Sequence, residues 1–229
     1  MFLGIGLGGV NALGVDEPPL AGVFDAIAYI EKLRQARDLS QMPVGHGVVV
    51  IGGGMTAIDI ASQVKRLGAE DVTIVYRRGP ENMGASHKEQ AWAQTSGVRI
   101  KHWARPLRLL GRDNVLSAVE FEYTRLDRQG RVAGTGEKFT MAADMVFKAI
   151  GQVLIKDGLD GNADVLELST DGIAVDAEHR TSILGVWAGG DCVAGGQNLT
   201  VVAVEDGKRA AHSIDRHLRM VWQEGARHG

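Results

Sequence analysis

A glycine-rich bend between a β-branched run and an amphipathic segment constrains this chain more than any other feature. Val48-Val49-Val50-Ile51 is a continuous apolar run of the kind found in parallel strands buried on both faces. Gly52-Gly53-Gly54-Met55-Thr56-Ala57 follows it with G-x-G-x-x-A spacing. From Met55 to Leu67 the pattern turns helical, with Ile58, Ala61, Ser62 and Lys65 on one face and Gly68 as the C-terminal cap. Each small residue has its own task. Gly52 permits the tight turn, Gly54 lets the backbone approach a diphosphate, and Ala57 allows the helix to lie close to the strand. The helix N-terminus adds free N–H groups and a positive dipole end, which makes the bend a candidate dinucleotide site. The alternative is a glycine-rich turn that holds no ligand. Glycine is abundant throughout, at 31 of 229 residues, roughly twice the usual share. With 5 prolines and no low-complexity run, that excess points to tight turns and close approach of backbone to a ligand.

Asp71 to Tyr76 reads as a second strand and completes a β-turn-α-turn-β unit, the opening of a doubly wound sheet. An acidic residue at the end of such a strand would hold the ribose 2′-hydroxyl of NAD. Tyr76-Arg77-Arg78 stands there instead. Two guanidinium groups offer charge-assisted bonds to a 2′-phosphate, so NADP is favoured, with NAD as the alternative. A solvated arginine pair is the ligand-free reading.

Around this unit the chain is expected to organise as follows. Residues 1–21 read as a short strand and a loop, since Pro18-Pro19 excludes a helix. Val23, Ala26, Ile27, Ile30 and Leu33 share one helical face, with Asp25 early and Arg34 and Arg37 late. Glu89 to Thr95 reads as a helix and Val98 to Trp103 as a third strand. Short strands at Ser117–Arg125, Lys138–Met141 and Met145–Ile150, with turn signals at Gly111–Asn114 and Asp127–Gly130, predict an antiparallel meander and then a return to the parallel sheet. Residues 151–185 read as loop and short strand. Val186-Trp187-Ala188 then delivers Gly189-Gly190-Asp191, and Leu199-Thr200 opens a helix to about Leu218 with Val201, Val204, Ala211, Ile214 and Leu218 on one side.

The Gly190-Asp191 pair ends an apolar strand, where open α/β sheets bind ligands, and an aspartate there can accept two hydroxyl hydrogen bonds from a polyol. The helix begun by Asn198-Leu199-Thr200 can turn its first amides toward an electron-rich ring. The alternative is an aspartate that caps that helix or a turn. A second formal G-x-G-x-x-G at Gly4, Gly6 and Gly9 lacks its context: only Met1-Phe2-Leu3 precede it, and Gly14 and Pro18 follow too soon for a helix. It is expected to end a strand.

Several classes are set aside. A net charge of −3 gives no basic surplus for nucleic acid. No stretch approaches the roughly 18 apolar residues of a membrane span, and with Lys32 the first basic residue no secretory signal is legible, so a cytoplasmic protein is expected. The single cysteine, Cys192, excludes a C-x-x-C pair and is expected to pack. The seven histidines show no ligand spacing, so no metal site is expected.

The ordered set V-V-V-I-G-G-G-M-T-A-I-D-I-A, V-T-I-V-Y-R-R-G-P-E-N-M, A-I-G-Q at Ala149 to Gln152, A-G-G-D-C and N-L-T-V-V-A-V-E-D-G-K-R-A-A resembles the two-dinucleotide-binding flavoproteins, namely the glutamate synthase small subunit and the similar flavin portion of dihydropyrimidine dehydrogenase. The resemblance covers essentially the whole chain. It implies a Rossmann-like NAD(P)-binding domain, carrying the meander, inserted in an FAD-binding domain. It also implies hydride transfer from nicotinamide to flavin and onward passage of electrons through iron–sulfur clusters to a partner. Carried over residue by residue, Gly53, Gly54, Met55 and Thr56 hold the NADP pyrophosphate, and Arg77 and Arg78 the 2′-phosphate. Ala149, Ile150 and Gly151 line the nicotinamide side, Gly190 and Asp191 take the ribityl and phosphate region of FAD, and Leu199, Thr200 and Val201 sit near the isoalloxazine. Such chemistry needs no acid–base side chain, so no catalytic residue is nominated.

Relatives of this kind also carry cysteine clusters and a first FAD fingerprint, neither of which this sequence has. The expectation is therefore the C-terminal portion of a longer flavoprotein, with an incomplete FAD domain. Residues 1–43 would be a partial FAD-domain piece and connecting helix, 44–150 the NAD(P)H-binding domain, and 151–229 the second FAD-domain piece. FAD is expected to be weakly held or absent in this chain. The expected partner is the N-terminal FAD and iron–sulfur half or an electron-accepting subunit, with a homodimer as a further candidate.

Overall fold

The computed structural model describes residues 1–155 and 165–225. Part of the predicted loop-and-strand region (156–164) and the tail (226–229) lie outside the described residues. The chain divides into two compact units, one of Val10–Gly151 and one of Met1–Gly9 with Gln152–Gly229. Two short strands come first, β1 (Phe2–Leu3) and β2 (Gly9–Val10).

The Val10–Gly151 unit is built on β3 (Val23–Asp25), α1 (Ala26–Gln35), β4 (Gly47–Gly52), α2 (Met55–Arg66), β5 (Asp71–Val75), α3 (His87–Thr95), β6 (Val98–Lys101), β7 (Ala104–Arg112), β8 (Val115–Leu126), β9 (Val132–Ala142) and β10 (Met145–Ala149). Its parallel sheet has the order β3-β10-β4-β5-β6, and β7-β8-β9 form a separate antiparallel sheet. The apolar run at 48–51 is continuous because β4 is covered on both faces. Val48 and Val50 join Ile58, Ile60, Ile74 and Phe147 on the side of α1 and α2. Val49 and Ile51 join Val75, Val119, Phe121 and Val146 on the side of the meander. The meander is thus the second cover of the sheet, which explains how a parallel sheet is buried without a second helical layer.

Three local expectations need correction. Val23 is not the first residue of a helix: Val23 and Phe24 pair in register with Val146 and Phe147 as an edge strand. α1 starts at Ala26 and buries Ala26, Tyr29 and Ile30. β7 was not foreseen, because Pro106 breaks its strand pattern; as an edge strand with a register shift between Pro106 and Arg108 it tolerates the missing donor. α3 begins two residues early, at His87, where Ser86 and Glu89 form a capping box.

In the other unit, β11 (Gln152–Val153) and β12 (Trp187–Ala188) precede a long helix, α4 (Thr200–Gly225). β1 runs parallel to β12, with Phe2 opposite Trp187 and Leu3 opposite Ala188. Leu166, Ile173, Ala188, Cys192 and Val193 form a small core. The apolar side predicted for α4 faces out: Val201 is 75% exposed and Val204 66%. The helix buries Asp206, Ala210 and Ser213 instead, because Trp187 Nε1 donates to Ser213 Oγ (2.9 Å) and Gly190 N donates to Asp206 Oδ2 (3.0 Å). Hydrogen bonding, rather than apolar content, selects the packed face. No helix among the described residues is long and apolar enough to cross a membrane.

Candidate functional site

The glycine bend lies at the carboxyl end of β4, the edge where open parallel sheets receive ligands. Gly52 sits opposite Ala149 of β10 at φ +151°, and a Cβ there would collide with the Ala149 carbonyl. A Cβ on Gly53 would collide with the Tyr76 ring. These two glycines are demanded by protein packing alone. Gly54 is different: a Cβ there meets nothing within 4 Å, and its φ of −95° suits any residue. The space in front of Gly54 fits a ligand that needs bare backbone. Gly54 is also the N-cap of α2 and provides no side-chain cap, so the first-turn amides keep donors for an anion. Ala57 is fully buried and lets α2 lie against the sheet, while Met55 and Thr56 are half-buried on the first turn.

Loop 76–86 folds over this bend. Tyr76 Oη donates to the Asn82 carbonyl (2.7 Å), Ala85 N donates to the Gly53 carbonyl (3.1 Å), and a Cβ on Gly84 would stand 3.6 Å from Gly54 Cα. Arg77 is exposed and Arg78 half-buried at the end of β5, and neither guanidinium enters an ion pair or hydrogen bond among the described residues. His102, just beyond β6, is held below its ordinary value by burial, which outweighs the nearby Glu81 carboxylate, so it adds no cation at neutral pH. The positive charge on this loop is the arginine pair.

Ala149, Ile150 and Gly151 continue from β10 beside the bend. Asn11 fixes them, its Nδ2 donating to the Ile150 carbonyl (3.3 Å) and its N to the Gly151 carbonyl (3.2 Å). The predicted residues 52–57, 77–78 and 149–151 therefore share one edge of one unit.

Gly190, Asp191, Asn198, Leu199, Thr200 and Val201 lie in the other unit. Gly189 N donates to the Leu3 carbonyl (3.2 Å), so the glycines after β1 and those after β12 emerge side by side. Gly6, at φ +65°, stands where a Cβ would lie 3.5 Å from Asp191 Oδ1. Among the described residues the Asp191 carboxylate accepts no hydrogen bond, so it caps neither its own turn nor α4. The clamp on the turn is Asp206, which is buried on α4. Its Oδ2 accepts from Gly190 N, and its Oδ1 lies 3.5 Å from His179 Nε2. Asn198 Nδ2 donates to Gln152 Oε1 (3.4 Å), and Gln152 Nε2 to the Leu7 carbonyl (2.8 Å). Leu199, Thr200 and Val201 are exposed at the start of α4. Tyr76, Gly84, Gln152 and Asp206 line or support the candidate site although spacing alone did not single them out, and Gly6 joins them from the second glycine pattern that was set aside for lack of context.

Cys192 is buried against the Gly189 carbonyl. Among the described residues no group of three or more His, Cys, Asp or Glu is arranged to hold a metal ion; His228 lies outside them.

A parallel sheet with a glycine bend at its carboxyl edge, joined to a unit with a Gly-Asp turn, defines a nucleotide-binding α/β protein. The chain belongs to the pyridine nucleotide-disulphide oxidoreductase family, whose model matches residues 8–207. It is similar to the NADP(+)-dependent formate dehydrogenase subunit beta of Moorella thermoacetica, 34% identical over 96% of this chain and 32% of that protein. It also resembles the glutamate synthase [NADPH] small chain of Escherichia coli, 30% identical over 96% of this chain and 50% of that one. A third relative is the NAD-dependent dihydropyrimidine dehydrogenase subunit PreT of the same organism, 34% identical over 84% of this chain and 42% of that one. The chain thus spans about a third to a half of the length of these relatives. Thioredoxin reductase of Lactococcus lactis shares the fold, with a TM-score of 0.73 at 22% identity, covering 94% of this chain and 64% of that one.

Proposed function

We propose that this chain is an oxidoreductase module that takes hydride from NADPH and delivers it to FAD for onward electron transfer, in the manner of a glutamate synthase small subunit. The observation that carries the reading is the pairing of an uncapped helix start behind Gly54 with two arginines at the end of the next strand that have no partner among the described residues. Gly53, Gly54, Met55 and Thr56 receive the diphosphate on backbone N–H groups, and Ala57 keeps the helix close enough to do so. Arg77 and Arg78 bind the 2′-phosphate. Ala149, Ile150 and Gly151 border the nicotinamide. Gly190 and Asp191 take the ribityl and phosphate region of FAD, the Asp191 carboxylate accepting from hydroxyls, and Asn198, Leu199, Thr200 and Val201 present the start of α4 to the flavin ring. The nicotinamide supplies the hydride when bound; the protein supplies alignment.

The electron acceptor is proposed to be the N-terminal FAD and iron–sulfur half or a separate subunit. Because the chain spans only part of its relatives, a second reading is a module that binds NADP(H) and neither retains flavin nor turns over alone. One preparation separates the two. Calorimetry with NADPH and NADH tests the nucleotide site. A visible spectrum with and without added FAD, followed by NADPH oxidation with a dye acceptor, tests the flavin. Flavin absorbance with dye reduction supports the first reading, and NADPH binding with neither supports the second. No binding of either nucleotide refutes both.

A further inference from the structure

We infer that the antiparallel meander governs coenzyme choice through Thr124, a positioning residue that holds the backbone of the arginine pair. The inference rests on the NADPH reading of the bend and extends it to a residue that contacts no coenzyme. All three carbonyls of Tyr76, Arg77 and Arg78 are hydrogen-bonded from the corner where β6 becomes β7, or from β8. Ala104 N donates to the Tyr76 carbonyl (3.1 Å), Thr124 Oγ1 to the Arg77 carbonyl (2.9 Å) and Trp103 N to the Arg78 carbonyl (3.3 Å). Tyr76 N donates in turn to the Lys101 carbonyl (2.9 Å).

The corner itself is fixed. Trp103 sits at φ +59°, a left-handed conformation that a tryptophan holds only when its surroundings over-determine it. Its carbonyl accepts from Thr124 N (2.9 Å), so Thr124 uses its backbone to hold the corner and its side chain to hold Arg77. Thr124 is 5% exposed and follows a register shift against β9 between Glu122 and Thr124, the kind of irregularity that re-aims a side chain. Arg77 therefore has a fixed root and a free, exposed head. A 2′-phosphate gains most from a guanidinium whose backbone does not wander, and NADH gains nothing from it. The meander, otherwise a cover for the sheet, becomes the part that sets discrimination.

The test compares wild type, Thr124→Val, Thr124→Ala and Thr124→Ser in the full chain, with Kd for NADPH and NADH by calorimetry and thermal midpoints alongside. Valine keeps the shape and removes the donor; alanine removes the donor with less volume; serine keeps the donor. Thr124→Val and Thr124→Ala are expected to weaken NADPH about three- to tenfold, from the loss of one neutral hydrogen bond, and to change NADH less than about twofold. Thr124→Ser is expected to bind both as wild type does. Arg77→Ala is run beside them. A wild type without preference for NADPH, or an Arg77→Ala protein weakened equally toward both nucleotides, removes the coenzyme reading and the inference with it. If those two behave as expected, unchanged NADPH binding in the folded valine or alanine protein overturns the inference alone. Equal losses toward NADPH and NADH do the same, by showing a merely structural role. So does a serine protein that loses preference, since packing of the methyl group would then hold the loop.

Discussion

Substituting Gly54 with alanine separates folding from binding. In the protein by itself the new methyl meets no atom within 4 Å, and the backbone at φ −95° and ψ −178° accepts any residue. Two small effects on stability oppose each other. Replacing glycine reduces the freedom of the unfolded chain, worth about 0.4–1 kcal/mol. Alanine is a poorer N-cap than glycine by a comparable amount. The net is near zero, and a thermal midpoint within about 3 °C of wild type is expected for a chain of this size. Binding is another matter. The methyl projects where the diphosphate must lie against bare backbone. Crowding of one methyl into a filled contact costs about 1–3 kcal/mol, or roughly five- to 150-fold in Kd. The loss should fall equally on NADPH and NADH, because the diphosphate is common to both. Gly52→Ala is the control. There the methyl collides with the Ala149 carbonyl at a positive φ, so the protein itself should be destabilised or fail to fold. Isothermal calorimetry with both nucleotides and a melting curve complete the assay. A Gly54→Ala protein that melts normally and binds NADPH like wild type would show that no diphosphate crosses this bend.

Three further expectations follow from other parts of the molecule. Arg77→Ala should weaken NADPH about tenfold or more and leave NADH nearly unchanged, since a charge-assisted bond to the 2′-phosphate is worth about 1.5–3 kcal/mol; equal losses by calorimetry would count against it. Glu122 is held below its ordinary value of 4.5 by the Arg105 guanidinium and then by the Gly136 amide. Its contribution to stability is therefore present above about pH 4.5 and lost as pH falls through its lower folded value. Wild type should exceed Glu122→Gln by about 1 kcal/mol at pH 7, and the gap between their urea midpoints should shrink progressively as the pH falls below 4.5; a gap that does not change with acidification refutes the assignment. For Asp206, the hydrogen bond that holds the turn is the one its side-chain oxygen accepts from Gly190 N. An asparagine oxygen can accept the same bond, and Asp206→Asn should melt near wild type. Asp206→Ala should lose about 1–3 kcal/mol, and equal melting of the two variants would refute the clamp.

The parallel sheet was legible because each of its central strands carries a signal on contiguous residues. Val48 to Ile51 is apolar on both faces, and the glycines that follow stand at fixed offsets. Helix α2 announced itself through Ile58 and Ala61. What escaped was set by pairing rather than by pattern. Val23 and Phe24 have no strand signal of their own; they are strand because Val146 and Phe147 offer an unpaired edge. β7 hides a proline that only an edge strand tolerates. α4 is the clearest failure of an amphipathicity argument, since its most apolar side is exposed while Asp206 and Ser213 are buried by hydrogen-bonding partners more than ten residues away. At the candidate site, the glycines and arginines were open to nomination from the sequence, because the roles proposed for them rest on identity and spacing. Tyr76, Gly84 and Thr124 were not, because they act from behind on a loop whose course no local pattern records.

The two turns proposed to meet cofactors obey one physical constraint. Backbone offered to a ligand must lack side chains in front, and glycine, which provides that, also gives the most conformational freedom. A bare loop therefore needs support from behind. Behind Gly53 the Tyr76 ring closes the space, and Ala85 N holds its carbonyl at 3.1 Å. Behind Gly190 the buried Asp206 takes its amide at 3.0 Å, and the Gly196 position is so close to the Gly190 carbonyl that no Cβ fits. Behind Arg77 stands Thr124. Substitutions in the supporting set should thus act differently from those in front. A front residue such as Gly54 changes affinity without changing melting. A backing residue such as Asp206 changes melting first, and affinity only through the disorder it releases into the turn. In such a fold the residues proposed to confer binding are recognisable by spacing, and those that support them are recognisable only by what they hold.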